Sequence, residues 1–493
     1  MVISRQQFNK IETYLLSILL YGIVLVYTYQ YFQFADKYEP WTTDELFYYI
    51  EAKAIAAHNI YQTPASLDGN TSYIGDFGFH AVSYAIKDGW LAKLFFHTQD
   101  PPLLLINFIT CIGVLVLILL FKQFSFNIRL KIALVVATHY ILYSYTLSYM
   151  QETIQYFFAV LALEALYLLY LSPLNRTTKY LVYFLVVITV AITFRYGWFM
   201  WGAGLLPLST NLKSFIKWCL VAIGLLVFGV FVSRYIVAPY PYYDMTGDSI
   251  INAGNFSLIN SLTTAWQKFR NNLQLFLIPD PKLTTTCMRY LLLMLLLISS
   301  WYAIFKRNKF TIACTLVSWA YFVACLTFYE VYWSYDERAL AVLNPILGFS
   351  LVGNANSFIF YPVIILQLWL FPDVVRETKE RNMASILVNA NTPERVARKN
   401  SYSKIKDLVN DNENTVVGIS IGLVRHGTED YFISFPLINN KGYPIHYRIY
   451  RNGRDLRNVH KLRYFLDPSP AALPANNQLI YSDSWMNLYR FFN

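Results

Sequence analysis

The adjacent acids Asp44 and Glu45 are the first candidates for chemistry in this chain. A carboxylate close to a reacting hydroxyl or amine group can remove its proton and act as a general base. Thr42 or Thr43 is suited to cap a helix that begins at the acidic pair and continues through Ala57. Free N–H groups and the helix dipole favour an ionised, basic carboxylate in a first helical turn. Ordinary helix capping is the alternative role for both acids.

The elements that position these acids must be largely lipid-soluble. Of the 493 residues, 56% are hydrophobic, 18% aromatic and only 14% charged, which excludes an ordinary soluble domain. With ~20 apolar residues needed for each crossing of a bilayer, about eleven spans are predicted. They are centred on residues 11–33, 103–121, 132–147, 154–171, 180–193, 198–206, 215–237, 290–305, 311–328, 339–352 and 358–371. Glu164 is the main acid within these spans.

Lysine and arginine in alternate short loops predict the orientation, because cytoplasmic loops carry an excess of positive charge. This orientation places loop 35–102 on the extracytoplasmic side. All acidic clusters of interest are predicted to lie on the same side. The net charge of +10 is attributed to cytoplasmic loops near anionic lipids and to a basic tail, and it does not indicate nucleic-acid binding. The cytoplasmic markers are Arg5, Lys10, Lys122, Arg129, Lys131, Arg176, Lys179, Lys213, Lys217, Lys306, Arg307 and Lys309.

The composition changes after Pro372, where long apolar runs end and polar residues become frequent. We therefore predict a transmembrane domain over residues 1–372 and a small extracytoplasmic α/β domain over residues 373–493. Within the tail, residues 374–388 are predicted to be helical, and residues 416–423 and 445–450 are predicted to be strands. The five cysteines form no CxxC motif and are interpreted as packing residues.

Other polar residues of loop 35–102 carry weaker signals. His58, His80 and His97 follow no usual zinc-ligand spacing, so they predict no metal site. Asp76 and Asp88 are expected to be solvated or to form turns. The loop as a whole runs from the acidic pair through Asn59-Ile-Tyr61 and Tyr73-Ile-Gly-Asp-Phe-Gly-Phe-His80 to Asp100-Pro-Pro102.

Residues 11–371 resemble the GT-C superfamily of glycosyltransferases, especially members that use a polyprenyl-phosphate-linked sugar and are related to protein mannosyltransferases and aminoarabinose transferases. The resemblance rests on the acidic pair after the first span, on the tyrosines and Lys53 of the following helix, and on the topology. It implies a GT-C-like membrane enzyme in a bacterial or archaeal cell membrane, with its active site on the extracytoplasmic face.

The resemblance also implies roles for individual residues. Asp44 matches the position of the general base that acts on the acceptor in an inverting transfer, and Glu45 is a second catalytic candidate that can position the acceptor. Glu152, in Tyr149-Met-Gln-Glu152, matches a further acid that binds acceptor hydroxyls or, in some members, a divalent cation. Tyr48 and His80 are candidates for substrate binding. No cofactor follows with certainty, and a divalent cation stays open.

Two arginines are candidates for holding the donor phosphate. An arginine fork stabilises the negative charge that develops on a phosphate leaving group. Arg338, in Arg338-Ala-Leu-Ala-Val-Leu-Asn-Pro345, precedes an apolar span with proline as in the family, and Arg195 lies in Phe194-Arg-Tyr-Gly-Trp198. Simple placement at the membrane interface among aromatic residues is the alternative for both.

The predicted function is transfer of a hexose or pentose from a polyprenyl-phosphate donor to a glycan, lipid or protein acceptor, among membrane lipids. One alternative is a multi-span transporter or flippase of a lipid-linked saccharide, which would place polar residues near the span centres. The other is a non-catalytic assembly subunit, which would tolerate loss of Asp44.

Overall fold

The computed structural model describes residues 5–40, 43–61, 65–67, 82–98, 100–193, 196–232, 257–328, 340–354, 359–388, 392–420, 434–450, 463–467 and 477–491. The chain divides into two compact units. The first comprises Met1–Asp36, Asn107–Arg234 and Tyr243–Arg381, and the second comprises Lys37–Ile106, Tyr235–Tyr242 and Asn382–Asn493. The predicted domain boundary after residue 372 stays a prediction.

Helices dominate the described chain. One of them, Tyr196–Leu208, is a 3-10 helix. In chain order the α-helices are α1 (Arg5–Phe34), α2 (Thr43–His58), α3 (Val82–Phe95), α4 (Leu103–Leu120), α5 (Phe126–Ala137), α6 (Tyr140–Thr146), α7 (Glu152–Leu171), α8 (Arg176–Thr193), α9 (Leu212–Val232), α10 (Leu258–Leu277), α11 (Leu283–Lys306), α12 (Lys309–Phe328), α13 (Leu343–Asn354), α14 (Phe360–Val388), α15 (Pro393–Ser403) and α16 (Ile405–Leu408).

Five helical segments among the described residues are long and apolar enough to cross a membrane: Gln6–Phe34, Leu103–Leu120, Glu152–Leu171, Leu283–Lys306 and Lys309–Thr327. Large apolar side chains on them, such as Tyr14 and Ile18, stay exposed. Extensive exposed apolar surface indicates contact with a partner or with lipid, and on helices of this length and hydropathy it favours lipid. The chain is therefore an integral membrane protein, and the count of about eleven spans stays a prediction.

Residues 132–147, predicted as a single span, form parts of two helices. α5 ends before Thr138 and α6 begins after His139, whose backbone is extended. The Thr138 hydroxyl hydrogen-bonds to Gln367 at 2.9 Å, and the His139 ring hydrogen-bonds to the Tyr156 hydroxyl at 2.6 Å. These polar partners from α14 and α7 satisfy the groups at a break that hydropathy alone does not reveal.

A buried ion pair changes the interpretation of one positive residue. Lys131, predicted to lie in a cytoplasmic loop, is buried in α5, and its Nζ lies 2.7 Å from Oε1 of Glu12 in α1. Asn127 and Tyr361 donate hydrogen bonds to the same carboxylate. Glu12 is thus an acid within a membrane-spanning helix in addition to Glu164, and the cluster joins α1, α5 and α14. Because Lys131 is paired and buried, it is a weaker indicator of topology than an exposed loop cation.

In the second unit, α2 packs closely on α3 through a glycine. A Cβ atom at Gly89 would lie 2.6 Å from Cβ of Ile55 and 3.0 Å from the carbonyl oxygen of Ala52. Ile55 and Ala85 are fully buried at this contact. The absence of a side chain at position 89 therefore permits the close approach that holds α2, the helix whose first turn contains the acidic pair.

The second unit also contains a six-stranded sheet in the order β1-β3-β2-β4-β6-β5. β1, β3, β2 and β4 are parallel neighbours, whereas β6 is antiparallel to both β4 and β5. The strands are β1 (Ala65–Leu67), β2 (Thr415–Ser420), β3 (Ile445–Tyr450), β4 (Tyr464–Asp467), β5 (Asn477–Ser482) and β6 (Asn487–Phe491). β3 coincides with its predicted strand, and β2 begins one residue before its own, of which residues 421–423 lie outside the described chain.

Two features near the tail differ from the sequence-based expectation. The helix predicted over residues 374–388 is the second half of α14, which passes through Pro372 without ending. β1, from loop 35–102, adds an unpredicted strand to the sheet that the tail forms. Three residues are too short for a recognisable alternating pattern.

Candidate functional site

The acidic pair lies in the first turn of α2, which begins at Thr43, one residue before the predicted start. The first N–H groups of a helix have no partner within the helix, and the dipole places partial positive charge there. The backbone around Asp44 therefore provides the environment expected for an ionised acid. The Asp44 side chain itself lies outside the described residues.

Glu45 has a well-defined environment. The residue is 2% exposed, and the hydroxyl of Tyr38, which is also buried, donates a hydrogen bond of 2.6 Å to Oε1. A hydrogen bond to a charged group is stronger than one between neutral groups. Glu45 thus ties the segment that precedes α2 to the first turn of the helix. Burial makes the carboxylate better suited to supporting this turn than to meeting a substrate.

The opposite end of loop 35–102 is fixed to the same helix. Asp100 lies just before α4, and its Oδ1 accepts a hydrogen bond of 3.0 Å from the Tyr49 hydroxyl and lies 2.7 Å from Nζ of Lys53. Burial alone would raise the pKa of Asp100, but the hydrogen bond and charge of Lys53, with the Tyr49 hydroxyl, hold this pKa below its ordinary value. Tyr48, the candidate for substrate binding, is 1% exposed, which indicates packing in this structure.

Glu152 opens α7 and is buried, at 2% exposure. The turn before it is held by Asn107 of α4, whose Nδ2 donates hydrogen bonds of 2.8 Å to the carbonyl oxygens of Ser148 and Met150. The Thr153 hydroxyl donates to Oδ1 of the same asparagine at 3.1 Å. Glu152 therefore occupies a fixed helix start, where the dipole favours a negative charge. It belongs to the first unit, whereas Asp44 and Glu45 belong to the second.

The remaining sequence candidates Arg195, Arg338 and His80 lie outside the described residues, as does Asp76. Asp88 is described, and the expectation that it is solvated or in a turn is wrong. It is fully buried within α3, with Oδ1 2.9 Å from Nζ of Lys87. The adjacent lysine supplies a counter-charge for the buried carboxylate, whereas the local sequence does not reveal the burial itself.

Sequence reasoning also missed residues that hold the candidate acids. Tyr38 lies seven positions before Glu45, and this short separation was the available signal. Asn107 stands alone in the apolar run of α4, and a lone amide in a span predicts an internal partner. For metals, no group of three or more His, Cys, Asp or Glu that could hold an ion occurs in the part of the chain that the structure describes.

The architecture matches that of a known enzyme. The crystal structure of the Archaeoglobus fulgidus oligosaccharyltransferase in complex with Zn and sulfate aligns with a TM-score of 0.52 and 12% identity, covering 91% of this chain and 67% of that chain. The fold is of the GT-C type. The apo form of that oligosaccharyltransferase aligns with a TM-score of 0.50 and 13% identity, covering 92% of this chain and 70% of its own. The predicted GT-C resemblance is thus confirmed for the fold.

A second enzyme of similar length also aligns. ArnT from Cupriavidus metallidurans bound to undecaprenyl phosphate gives a TM-score of 0.46 at 12% identity, with coverage of 96% of this chain and 97% of that chain. No protein-family model and no curated protein matches the sequence. Since a shared GT-C fold does not determine the substrate, the chemistry must be argued from the residues of this chain.

Proposed function

We propose that this chain is a membrane glycosyltransferase that transfers a hexose or pentose from a polyprenyl-phosphate donor to an extracytoplasmic glycan, lipid or protein. One observation supports this most: the first turn of α2, with Asp44 and Glu45, directly follows a membrane-spanning helix in a chain with the fold of an oligosaccharyltransferase. That position suits chemistry at the surface where a lipid-linked phosphate lies.

In the proposed reaction, Asp44 acts as the general base. Its carboxylate takes the proton from the acceptor hydroxyl or amine while the acceptor atom forms a bond to the anomeric carbon of the sugar. The bond from that carbon to the polyprenyl phosphate breaks, and the phosphate leaves with the electron pair. A single displacement of this kind inverts the anomeric centre. Glu45, buried and hydrogen-bonded to Tyr38, supports the turn that carries the base.

The other candidates are assigned to substrate binding. Arg338 and Arg195 hold the donor phosphate and stabilise the charge on the leaving oxygen, because a guanidinium fork matches phosphate oxygens. Glu152 and His80 bind the acceptor or the donor headgroup. Tyr48 is buried and contributes to this set by packing beneath the first turns of α2.

The proposed arrangement in the membrane is about eleven spans, with loop 35–102 and a small α/β domain of residues 373–493 on the extracytoplasmic side of a bacterial or archaeal cell membrane. The alternating lysine and arginine residues of the loops support this orientation. Labelling of a cysteine introduced at exposed Asn440 by a membrane-impermeant reagent in intact cells tests it. If that cysteine is protected from the reagent, the protein has the opposite orientation in the membrane.

A divalent cation is a proposed but separate requirement. The oligosaccharyltransferase of similar fold was crystallised with Zn and sulfate, and Glu152 is the acid to which the GT-C resemblance assigns a cation-binding role. No step of the proposed reaction is routed through a metal. Transfer measured with and without a chelator decides whether a cation is needed.

The alternative of a transporter or flippase draws on the buried pair Glu12 and Lys131, because ionisable residues in a membrane helix often mark a transport path. Glu12 lies in the second turn of α1 and not at its middle, and each charge has a partner. These features favour a role in joining helices. A non-catalytic subunit is the remaining alternative.

The test is sugar transfer in vesicles that contain the purified protein, a mixed pool of polyprenyl-phosphate sugars and an extracted acceptor mixture. The expected result is a new glycosylated product together with free polyprenyl phosphate. Movement of the donor across the bilayer with its sugar intact would support the transporter. If neither transfer nor movement of the donor is observed, the proposed enzyme is contradicted and an assembly role is favoured.

A further inference from the structure

A short segment that leads into α2 is held by an ion pair whose arginine is buried and whose glutamate is partly exposed. This segment, residues 38–40, is called the strap here and ends four residues before Asp44. Oε2 of Glu39 in the strap lies 2.6 Å from Nη2 of Arg395, and the arginine residue is only 1% exposed. Lys399 adds a second positive charge, with Nζ 3.7 Å from the same oxygen. The strap thus connects to α15, more than 350 positions away in the sequence.

Helix stability alone disfavours an arginine at position 395. Arg395 lies in the first turn of α15, where the dipole disfavours a positive charge, and burial removes its guanidinium from water. The helix start is nevertheless well defined, because the Thr392 side chain accepts a hydrogen bond from the backbone N–H of Arg395 and Pro393 follows the cap. Because a desolvated ion pair adds little net stability compared with apolar packing, stability alone does not explain an arginine at this position.

Two further contacts fix the strap. The Ser385 hydroxyl donates a hydrogen bond of 2.9 Å to the backbone carbonyl oxygen of Glu39. The Tyr38 hydroxyl donates a hydrogen bond of 2.6 Å to the Glu45 carboxylate inside the first turn of α2. The side chain and the backbone of Glu39 are therefore both held, and the neighbouring tyrosine passes this constraint to the helix that carries Asp44.

We propose that Arg395 is a positioning residue for the transfer reaction: through Glu39 it fixes the strap, and the strap sets the position of the first turn of α2 and so of Asp44. This inference rests on the function proposed above. Misplacement of a catalytic group by about 1 Å lowers a rate on the order of 10²-fold. The chain segment around α15 thereby acts on catalysis without touching the substrate.

The first arm of the test is hydrogen exchange over residues 38–50 of the full-length protein in lipid vesicles. Arg395→Met should speed exchange there, and Arg395→Lys should restore part of the protection because lysine can still pair with Glu39. Arg398→Met is the matched control, since Arg398 lies on the same helix and stacks over the ring of Trp485 with 5.3 Å to the centroid. It should leave exchange at residues 38–50 unchanged. Should Arg395→Met fail to fold, Glu39→Gln, at a partly exposed carboxylate, replaces it.

The second arm measures transfer at matched amounts of folded protein. Arg395→Met should lower kcat on the order of 10²-fold with KM changed less than about threefold, and Arg398→Met should change neither. Unchanged exchange over residues 38–50 in both Arg395→Met and Glu39→Gln would overturn the inference, and so would an equal loss of kcat in Arg395→Met and Arg398→Met. The exchange arm needs no activity. A wild-type protein that transfers no sugar would therefore refute the proposed function while exchange still decides whether Arg395 fixes α2.

Discussion

At the scale of single residues, the buried carboxylate of Glu45 requires a donor to replace the water it has lost. Tyr38 supplies this donor from the strap. The two adjacent acids therefore divide their roles in our account, with Glu45 holding the turn and Asp44 accepting the proton. This division follows from the burial and contacts of Glu45, and it leads to a prediction about its partner.

Tyr38→Phe should lower the free energy of unfolding by about 1–3 kcal/mol, because a buried charged acceptor loses its hydrogen bond while the ring stays in place. Thermal unfolding in detergent measures the change. Tyr29→Phe is the matched control, since Tyr29 in α1 also has a hydrogen bond but is 63% exposed. If Tyr29→Phe loses as much stability as Tyr38→Phe, the hydrogen bond from Tyr38 to Glu45 does not contribute more than an exposed one.

The last residue of α2 should make stability depend on pH. Burial, and then the positive charges of Lys53 and Lys406, lower the pKa of His58. As the pH falls below the ordinary value of about 6.5, the unfolded chain binds a proton that the folded chain resists, so the folded state loses stability towards the lowered pKa. The unfolding temperature should fall between pH 7 and pH 5, and less steeply in His58→Asn. If the unfolding temperature falls equally steeply with pH in wild type and in His58→Asn, the pH dependence of stability comes from other groups.

At the scale of secondary-structure elements, the contact of α2 with α3 depends on Gly89. Gly89→Ala should destabilise the protein by about 1–3 kcal/mol, since the new methyl group would overlap Ile55 and the tight packing leaves no room to move. Gly113→Ala in α4 is the control, because its nearest neighbour, a ring carbon of Phe157, would lie 3.8 Å away. Thermal unfolding of the two variants compares them, and similar stability would contradict the close packing described for α2 and α3.

Local elements were the most predictable part of the fold. The start of α2 was predicted within one residue, because cap residues and helix periodicity act over a few positions. The break between α5 and α6 was not, since it depends on hydrogen bonds from Thr138 and His139 to distant helices. β1 was missed for the same reason: its three residues become a strand only by pairing with β3.

At the scale of the whole molecule, the fold class was predictable because the bilayer demands long apolar segments and the acidic pair follows the first of them. The resemblance of that pattern to the GT-C superfamily is confirmed for the fold. Long-range polar pairs were not predictable. Glu39 with Arg395 and Glu12 with Lys131 each join residues more than a hundred positions apart, and no local pattern in the sequence marks such partners.

The central claim, that Asp44 is the base of a sugar transfer, is tested most directly by one comparison. Single-turnover transfer from a polyprenyl-phosphate sugar is measured for wild type, Asp44→Asn and Glu45→Gln at equal folded protein, with donor binding measured separately. We predict a loss of about 10²–10⁴-fold in the transfer rate for Asp44→Asn with donor binding retained, and a much smaller loss for Glu45→Gln. Transfer by Asp44→Asn at the wild-type rate would contradict the account.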